Sequence, residues 1–200
     1  MLDILIKGGI TMPFIIISSI IACIIIIERL IFFRRIRIDE EKMINRLRVT
    51  LEKRHFDEAI SICENNPSPI TNLMKVGIDH RDYDERVLKD SIMDAANLEV
   101  PRLERNLSAL GTVANIAPLL GLLGTVIGNI NAFGVFGEQL IGDALAKGIS
   151  EALISTAAGI IVSIPALIFY NYLVSKVNHI IIRLENKVNE LVLLLGGNGR

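Results

Sequence analysis

Three stretches of this chain carry no Asp, Glu, Lys, Arg or His: residues 10–27, 106–137 and 152–175, which are 18, 32 and 24 residues long. An α-helix rises 1.5 Å per residue, so about 20 apolar residues carry it across the hydrocarbon core of a bilayer. Each stretch meets or nearly meets that length. Buried as core helices of a water-soluble protein, they would need a polar shell that the rest of a 200-residue chain cannot supply. Hydrophobic residues make up 51% of the sequence and the mean hydropathy is +0.49, which also points away from an ordinary soluble domain. The sequence predicts an all-α integral membrane protein with three transmembrane helices.

The charges lie elsewhere. Residues 34–105 hold 14 of the 21 Lys and Arg and 15 of the 22 Asp and Glu, a water-facing block of near-zero net charge. Such a balance lacks the basic footprint of a nucleic-acid binder. Cys23 lies in the first apolar run and Cys63 in the charged block, so a disulfide between them is not expected. His55, His80 and His179 are scattered without the spacing of metal ligands. The sequence also lacks a phosphate loop, a nucleophile elbow and paired catalytic carboxylates, so neither catalytic residues nor a cofactor are expected.

The first run ends in "ERLIFFRRIR", with Arg29, Arg34, Arg35 and Arg37 close behind it, whereas only Lys7 and the amino terminus precede it. It also lacks the small-residue cleavage site of a signal peptide. The arginine excess places its far side in the cytoplasm. The expected order is an external N-terminus at 1–9, a first span at 10–33 and a helical cytoplasmic domain at 34–105. A second span follows at 106–135, an external loop at 136–143, a third span at 144–175 and a cytoplasmic helical extension with its tail at 176–200. A multi-pass protein of the bacterial inner membrane, N-terminus periplasmic and C-terminus cytoplasmic, fits this order.

Within the charged block, Ile44, Leu47 and Leu51 recur at helical spacing, as do Phe56, Ala59, Ile60 and Cys63. "NNPSP" (65–69) breaks the chain, and a short helix through "ITNLMKVGI" follows. Asp82 with Glu85 three residues later reads as a capping box. From there helical character runs from about Tyr83 to Phe133 without a stop, with Pro101 and Pro118 as the expected bends. After the third span, Val177, Ile181, Leu184, Val188, Leu191 and Leu195 form a coiled-coil-like seam. It suits packing within the subunit or contact between subunits. Two of the three membrane helices are thus expected to be very long and to extend into the cytoplasmic domain.

On a helical wheel, Gly148, Ala152, Thr156, Gly159, Ser163 and Ala166 share a stripe about 80° wide, with Ser155 at its edge and Glu151 beside it. Gly111, Ala114, Pro118, Gly121, Thr125, Asn129 and Ala132 form a similar stripe in the second span. Two readings suit the pattern. Small residues let membrane helices pack closely, with hydroxyls bonded to the carbonyl four residues back. Alternatively the stripes line a narrow hydrated path. A carboxylate near membrane depth, Glu151, favours the path, because such groups usually face a bundle interior or water. Lys147, one turn earlier, could instead pair with it at the interface.

The runs "IAPLLGLLGTVIGNINAF" (116–133) and "ISEALISTAAGIIVSIPALIFYNYL" (149–173) resemble the paired signature of the ExbB/TolQ/MotA proton-channel family, and are most similar to its three-span ExbB and TolQ members. The resemblance implies a pentameric ring in the inner membrane around an ExbD- or TolR-like single-span partner. That partner's aspartate carries the proton, and the flow drives work through TonB or a TolA-like protein. It also implies that Thr125, Thr156 and Glu151 match the family's threonines and glutamate, and Pro118 and Pro165 its prolines. Ion-pathway candidates are then Thr125, Thr156, Glu151, Ser155, Asn129 and Ser163. Gly121, Gly128, Pro118, Gly159 and Pro165 are expected to serve helix packing. Asn129 departs from the apolar residue expected there. The extra oxygens of Asn129 and Ser155 would suit Na⁺, although H⁺ is the expected ion.

Overall fold

The computed structural model describes residues 9–37, 40–134 and 141–196. The expected external loop thus lies mostly outside the described residues, as do nearly all of the N-terminal segment and the end of the tail. Seven helices follow in order: α1 (Met12–Arg37), α2 (Glu40–Glu52), α3 (Phe56–Asn65), α4 (Pro69–Asp79), α5 (Glu85–Glu104), α6 (Leu107–Gly134) and α7 (Ile141–Gly196). No strand occurs among the described residues. Three helical stretches are long and apolar enough to cross a membrane: Met12–Arg34, Glu85–Gly134 and Leu145–Leu193.

The chain divides into two compact units: residues 1–29 with 106–173, and residues 30–105 with 174–200. In the first, α6 and the first part of α7 run antiparallel and almost touch backbone to backbone. A β-carbon on Gly121 would lie 3.0 Å from Thr156 Cα, and one on Gly128 2.8 Å from Ala152 Cβ. One on Gly159 would stand 2.5 Å from the Ala117 carbonyl oxygen. Even a methyl group would therefore collide at Gly128 and Gly159 and be crowded at Gly121, so glycine at these crossings is a steric requirement.

The closeness has a second use. Pro118 has no N–H, so the Ala114 carbonyl one turn earlier loses its helical donor. The Ser163 hydroxyl of α7 donates to that oxygen across the seam at 2.6 Å. In lipid no water would fill the gap. Glu28 and Arg29 close the end of α1 within this unit. Arg29 is buried, its guanidinium 3.0 Å from the Glu28 carboxylate, which also accepts from the Asn106 amide at 2.9 Å. One of the arginines that sets the expected orientation is thus held inside the protein.

The helix expected from Tyr83 to Phe133 is interrupted. Neither Pro101 nor Pro118 ends a helix; the break is at Arg105 and Asn106, where Asn106 adopts φ 61°. Asparagine tolerates this left-handed conformation better than most residues, which makes it the natural place to stop. The expected capping box at Asp82–Glu85 is also absent: the residue preceding α5 is Asp84, which makes no side-chain cap. The box occurs instead at Ser68 and Thr71. Ser68 Oγ accepts from the Thr71 N–H at 3.2 Å, and the Thr71 hydroxyl oxygen accepts from the Ser68 N–H at 2.8 Å. Pro69 occupies the first turn, where its missing N–H costs nothing.

The second unit has a soluble-type core of Leu47, Leu51, Ala59, Leu73, Ile78, Leu88 and Ile92. Val177, Leu184, Val188, Leu191 and Leu195 of the α7 seam are buried in it. Gly77 makes room there: Leu195 and Ile92 side-chain carbons stand 3.1 and 3.2 Å from where its β-carbon would be. The seam therefore serves packing within the chain. Cys63 belongs to the same core, and burial pushes its thiol up to about 11 from an ordinary 9.0; Glu64 adds to the rise and Lys75 opposes it.

Restoring the proline's N–H should make the serine dispensable. Ser163→Ala should destabilise the protein by about 1 kcal/mol in detergent unfolding, and by much less in a Pro118→Ala background. Strictly additive costs would show that the serine does not serve the orphaned carbonyl. Gly159→Ala should be far more damaging than Gly134→Ala, since nothing lies within 4 Å of a methyl at 134; thermal unfolding of the two variants compares them. For Cys63, a two-unit rise leaves about a hundredfold less thiolate at pH 8. Iodoacetamide should label it at least about a hundredfold more slowly in the folded chain than in the unfolded chain. Because its folded pKa exceeds the unfolded one, its contribution to stability holds below pH 9 and is lost as the pH rises toward 11. Cys63→Ala should flatten that decline.

Candidate functional site

The hydroxyls singled out by the wheel occupy three different settings. Ser163 is buried in the α6–α7 seam, donating to Ala114 as described. Ser155 is also buried, and its hydroxyl donates to the Glu151 carbonyl one turn back at 3.0 Å. Thr156 is half-buried and crosses the seam, donating to the Gly121 carbonyl at 3.0 Å. Thr125 is half-buried and donates to the Leu122 carbonyl at 2.6 Å. Asn129, one turn beyond it, is exposed. Local bonding back along the same helix thus accounts for Ser155 and Thr125 only.

Every one of these hydroxyls has its hydrogen committed to a backbone carbonyl. What each can offer to a visitor is its lone pairs. Where such an oxygen reaches an open surface, it suits a cation, a water O–H or a protonated carboxyl group, and repels a carboxylate. Thr125 and Thr156 are the two that keep partial exposure, one on α6 and one on α7.

Glu151 is half-buried at the edge of a cavity of about 280 Å³ that Ser155 and Asn131 also line. Among the described residues no ion pair reaches its carboxylate, and exposed Lys147 does not form the expected partner. Gly121, Gly128 and Gly159 are buried at the helix crossing, Pro118 is half-buried, and Pro165 is exposed within α7. No group of three His, Cys, Asp or Glu among the described residues is placed to hold a metal ion.

The packed face of α6 is Leu107, Leu110, Gly111, Ala114, Ala117, Gly121, Gly124, Gly128 and Ala132, which keeps Gly111, Ala114, Gly121 and Ala132 of the stripe read on the wheel and lies one position away at the other three places. Pro118, Thr125 and Asn129 therefore stand at its shoulder. Both registers contain small residues, and the wheel does not rank them. Steric contact does, since the seam takes Ala117, Gly124 and Gly128 over their larger neighbours. Thr11, buried at the start of α1, was not singled out from the sequence, and Arg29, read there only as a sign of orientation, is buried in α1. Thr11 stood only as the second residue of an apolar run, with nothing in its spacing to mark it.

A family model described as the MotA/TolQ/ExbB proton channel family matches residues 65–186. A putative biopolymer transport protein ExbB-like 1 of Synechocystis is 34% identical over 183 residues, 88% of this chain and 71% of that protein. A putative biopolymer transport protein ExbB homolog of Methanothermobacter thermautotrophicus is 28% identical over 182 residues, covering 90% and 64%. The Tol-Pal system protein TolQ of Haemophilus influenzae is 40% identical over 103 residues, covering 50% and 45%. The chain thus spans less than two thirds of the length of the last two. With the family pattern running through more than half of its length, in a multi-pass membrane architecture, this chain belongs to the MotA/TolQ/ExbB proton channel family.

Proposed function

We propose that the chain is the proton-conducting stator subunit of an ExbB-type inner-membrane motor. In this reading five copies form a ring, with the N-terminus periplasmic and the C-terminus cytoplasmic. An ExbD/TolR-like single-span partner inserts in the central pore, and its aspartate carries the proton down the protonmotive force. The work passes to a TonB-like protein for outer-membrane uptake. H⁺ is the transported ion in preference to Na⁺, and the chain itself needs no cofactor and performs no catalysis.

The observation that carries this reading is the chemistry of Thr125 and Thr156. Both hydroxyl hydrogens are spent on carbonyls, so both oxygens are left as acceptors at partly open positions. An acceptor pair welcomes the protonated, neutral form of a partner's aspartate and resists its ionised form. Releasing the proton would then require the acid to move away toward water, which couples ion flow to motion. Glu151 adds a negative charge near the path that draws cations toward it. Proteins named ExbB homolog or ExbB-like align with 82–90% of the chain, whereas those named ExbB or TolQ outright align with 38–50% of it, so a TolQ-type role in envelope maintenance is the alternative that shares this mechanism.

A second reading, a non-conducting membrane scaffold, draws support from the seam, where small residues and cross-helix hydroxyls serve packing. Thr156→Val and Glu151→Gln separate the two. Both variants should assemble with the partner at the same mass as the unaltered chain, yet lose at least about tenfold of protonmotive-force-driven uptake, the scale of one lost hydrogen bond to a charged or acidic group. Undiminished uptake in both would leave the scaffold.

A further inference from the structure

The start of α1 carries a polar atom that the fold does not satisfy. Thr11 is 3% exposed, and its hydroxyl has no hydrogen-bond partner among the described residues. Buried hydroxyls are nearly always paired, and where no protein group serves, an ordered water usually does. Thr11 also has company. Its Oγ1 and that of Ser155 stand 2.6 and 2.8 Å from the point where a β-carbon on Gly124 would be. Glycine at 124 thus lets one hydroxyl from the α1 end and one from α7 converge on the same spot of α6.

That spot belongs to the cavity of about 280 Å³, which runs from Gly9 and Thr11 past Gly124 to Asn131, Ser155 and Glu151. A water occupies about 30 Å³ of liquid, so there is room for several. The polar lining among the described residues offers hydroxyls, an amide and a carboxylate, with no cationic side chain. A bare hydrocarbon filling would leave the Thr11 hydroxyl unpaired and the Glu151 carboxylate dry, whereas water solvates both. Neither Thr125 nor Thr156 lines this space. It is a different compartment from the surface that carries those two threonines.

We propose that this cavity is a hydrated, cation-attracting antechamber, anchored by Thr11, through which water and protons reach Glu151 along the start of α1. The inference deepens the functional reading above and rests on it for the role of Glu151. Water held between Thr11 and the carboxylate gives Glu151 contact with the solvent at the Gly9 end of the helix. The walls contributed by Ile10 and Ile127 keep the chamber narrow.

The test uses the full chain in lipid nanodiscs, with Cys23→Ala and Cys63→Ala removing the native thiols. Thr11→Cys is treated with a cationic trimethylammonium and an anionic sulfonate methanethiosulfonate reagent, each rate divided by that with a free thiol. The cationic reagent should be favoured by about tenfold or more, as a charge-lined cleft raises the local cation concentration. Adding Glu151→Gln should bring the ratio near one, and Ile17→Cys, exposed on α1, should stay unmodified because lipid does not ionise a thiol. Labelling of Thr11→Cys no faster than Ile17→Cys, or a ratio indifferent to Glu151→Gln, overturns the antechamber. Should the cysteine variant fail to assemble, an experimental density map of the unaltered chain decides, with ordered water within hydrogen-bond reach of Thr11 Oγ1 expected and its absence fatal. Charge-selective labelling beside undiminished uptake in Glu151→Gln would keep the chamber and overturn the ion-path role of Glu151. Lost uptake with unselective labelling would overturn the chamber alone.

Discussion

The contact between α6 and the first part of α7 sets what the membrane unit can be. Lipid gives two apolar helices little reason to associate, so dispersion at short range and hydrogen bonds must hold them. Short range is available only where β-carbons are absent or small. Gly121, Gly124, Gly128, Gly148 and Gly159 supply that, each leaving a gap that the facing chain fills. Once the backbones are this close, a serine or threonine on one helix can reach the carbonyls of the other. The two cross-seam bonds, from Thr156 and Ser163, follow from the approach and then reinforce it.

This arrangement reconciles two roles that compete in the sequence. A small, hydroxylated face can seal a seam or line a path, and a helix has only one circumference to divide between them. Here the division is by register. Ala117, Gly124 and Gly128 turn into the seam, while Pro118, Thr125 and Asn129 remain at its shoulder. Ser163 and Ser155 are consumed inside the chain, and Thr125 and Thr156 keep an edge open. The packing face thereby fixes which polar residues of the two helices remain partly open.

Much of this was legible in the residues, and the gaps have identifiable physical causes. Charge-free length alone located the three spans, because the bilayer imposes a single length scale on any chain. The small face of α7 could be read since its alternatives, Ile149, Leu153, Ile160 and Ile164, are bulky and exposed. The face of α6 was read as it stands at Gly111, Ala114, Gly121 and Ala132, and one residue away at Pro118, Thr125 and Asn129, because small side chains occupy both candidate registers there. The break at Asn106 was missed for a related reason: a single asparagine between two helix-forming runs gives no warning of φ 61°, whereas the prolines nearby attract suspicion that the helices absorb. The capping box at Ser68 lay hidden because Thr71, rather than glutamate or glutamine, completes it.

Thr11 belongs to another class of gap. No pattern in a sequence announces an unpaired hydroxyl, because pairing is decided by which backbone atoms happen to stand near it in space. Its surroundings are set by Gly124, a residue already needed for the seam. One glycine therefore does two things: it admits Ser155 against α6, and it leaves a recess at the start of α1. A methyl group there would collide with both hydroxyls and fill the recess. The close packing of the seam and the polar cavity beside it are consequences of the same missing β-carbon, which is why a membrane unit built on small residues can be tight along one face of a helix and leave a polar recess along the next.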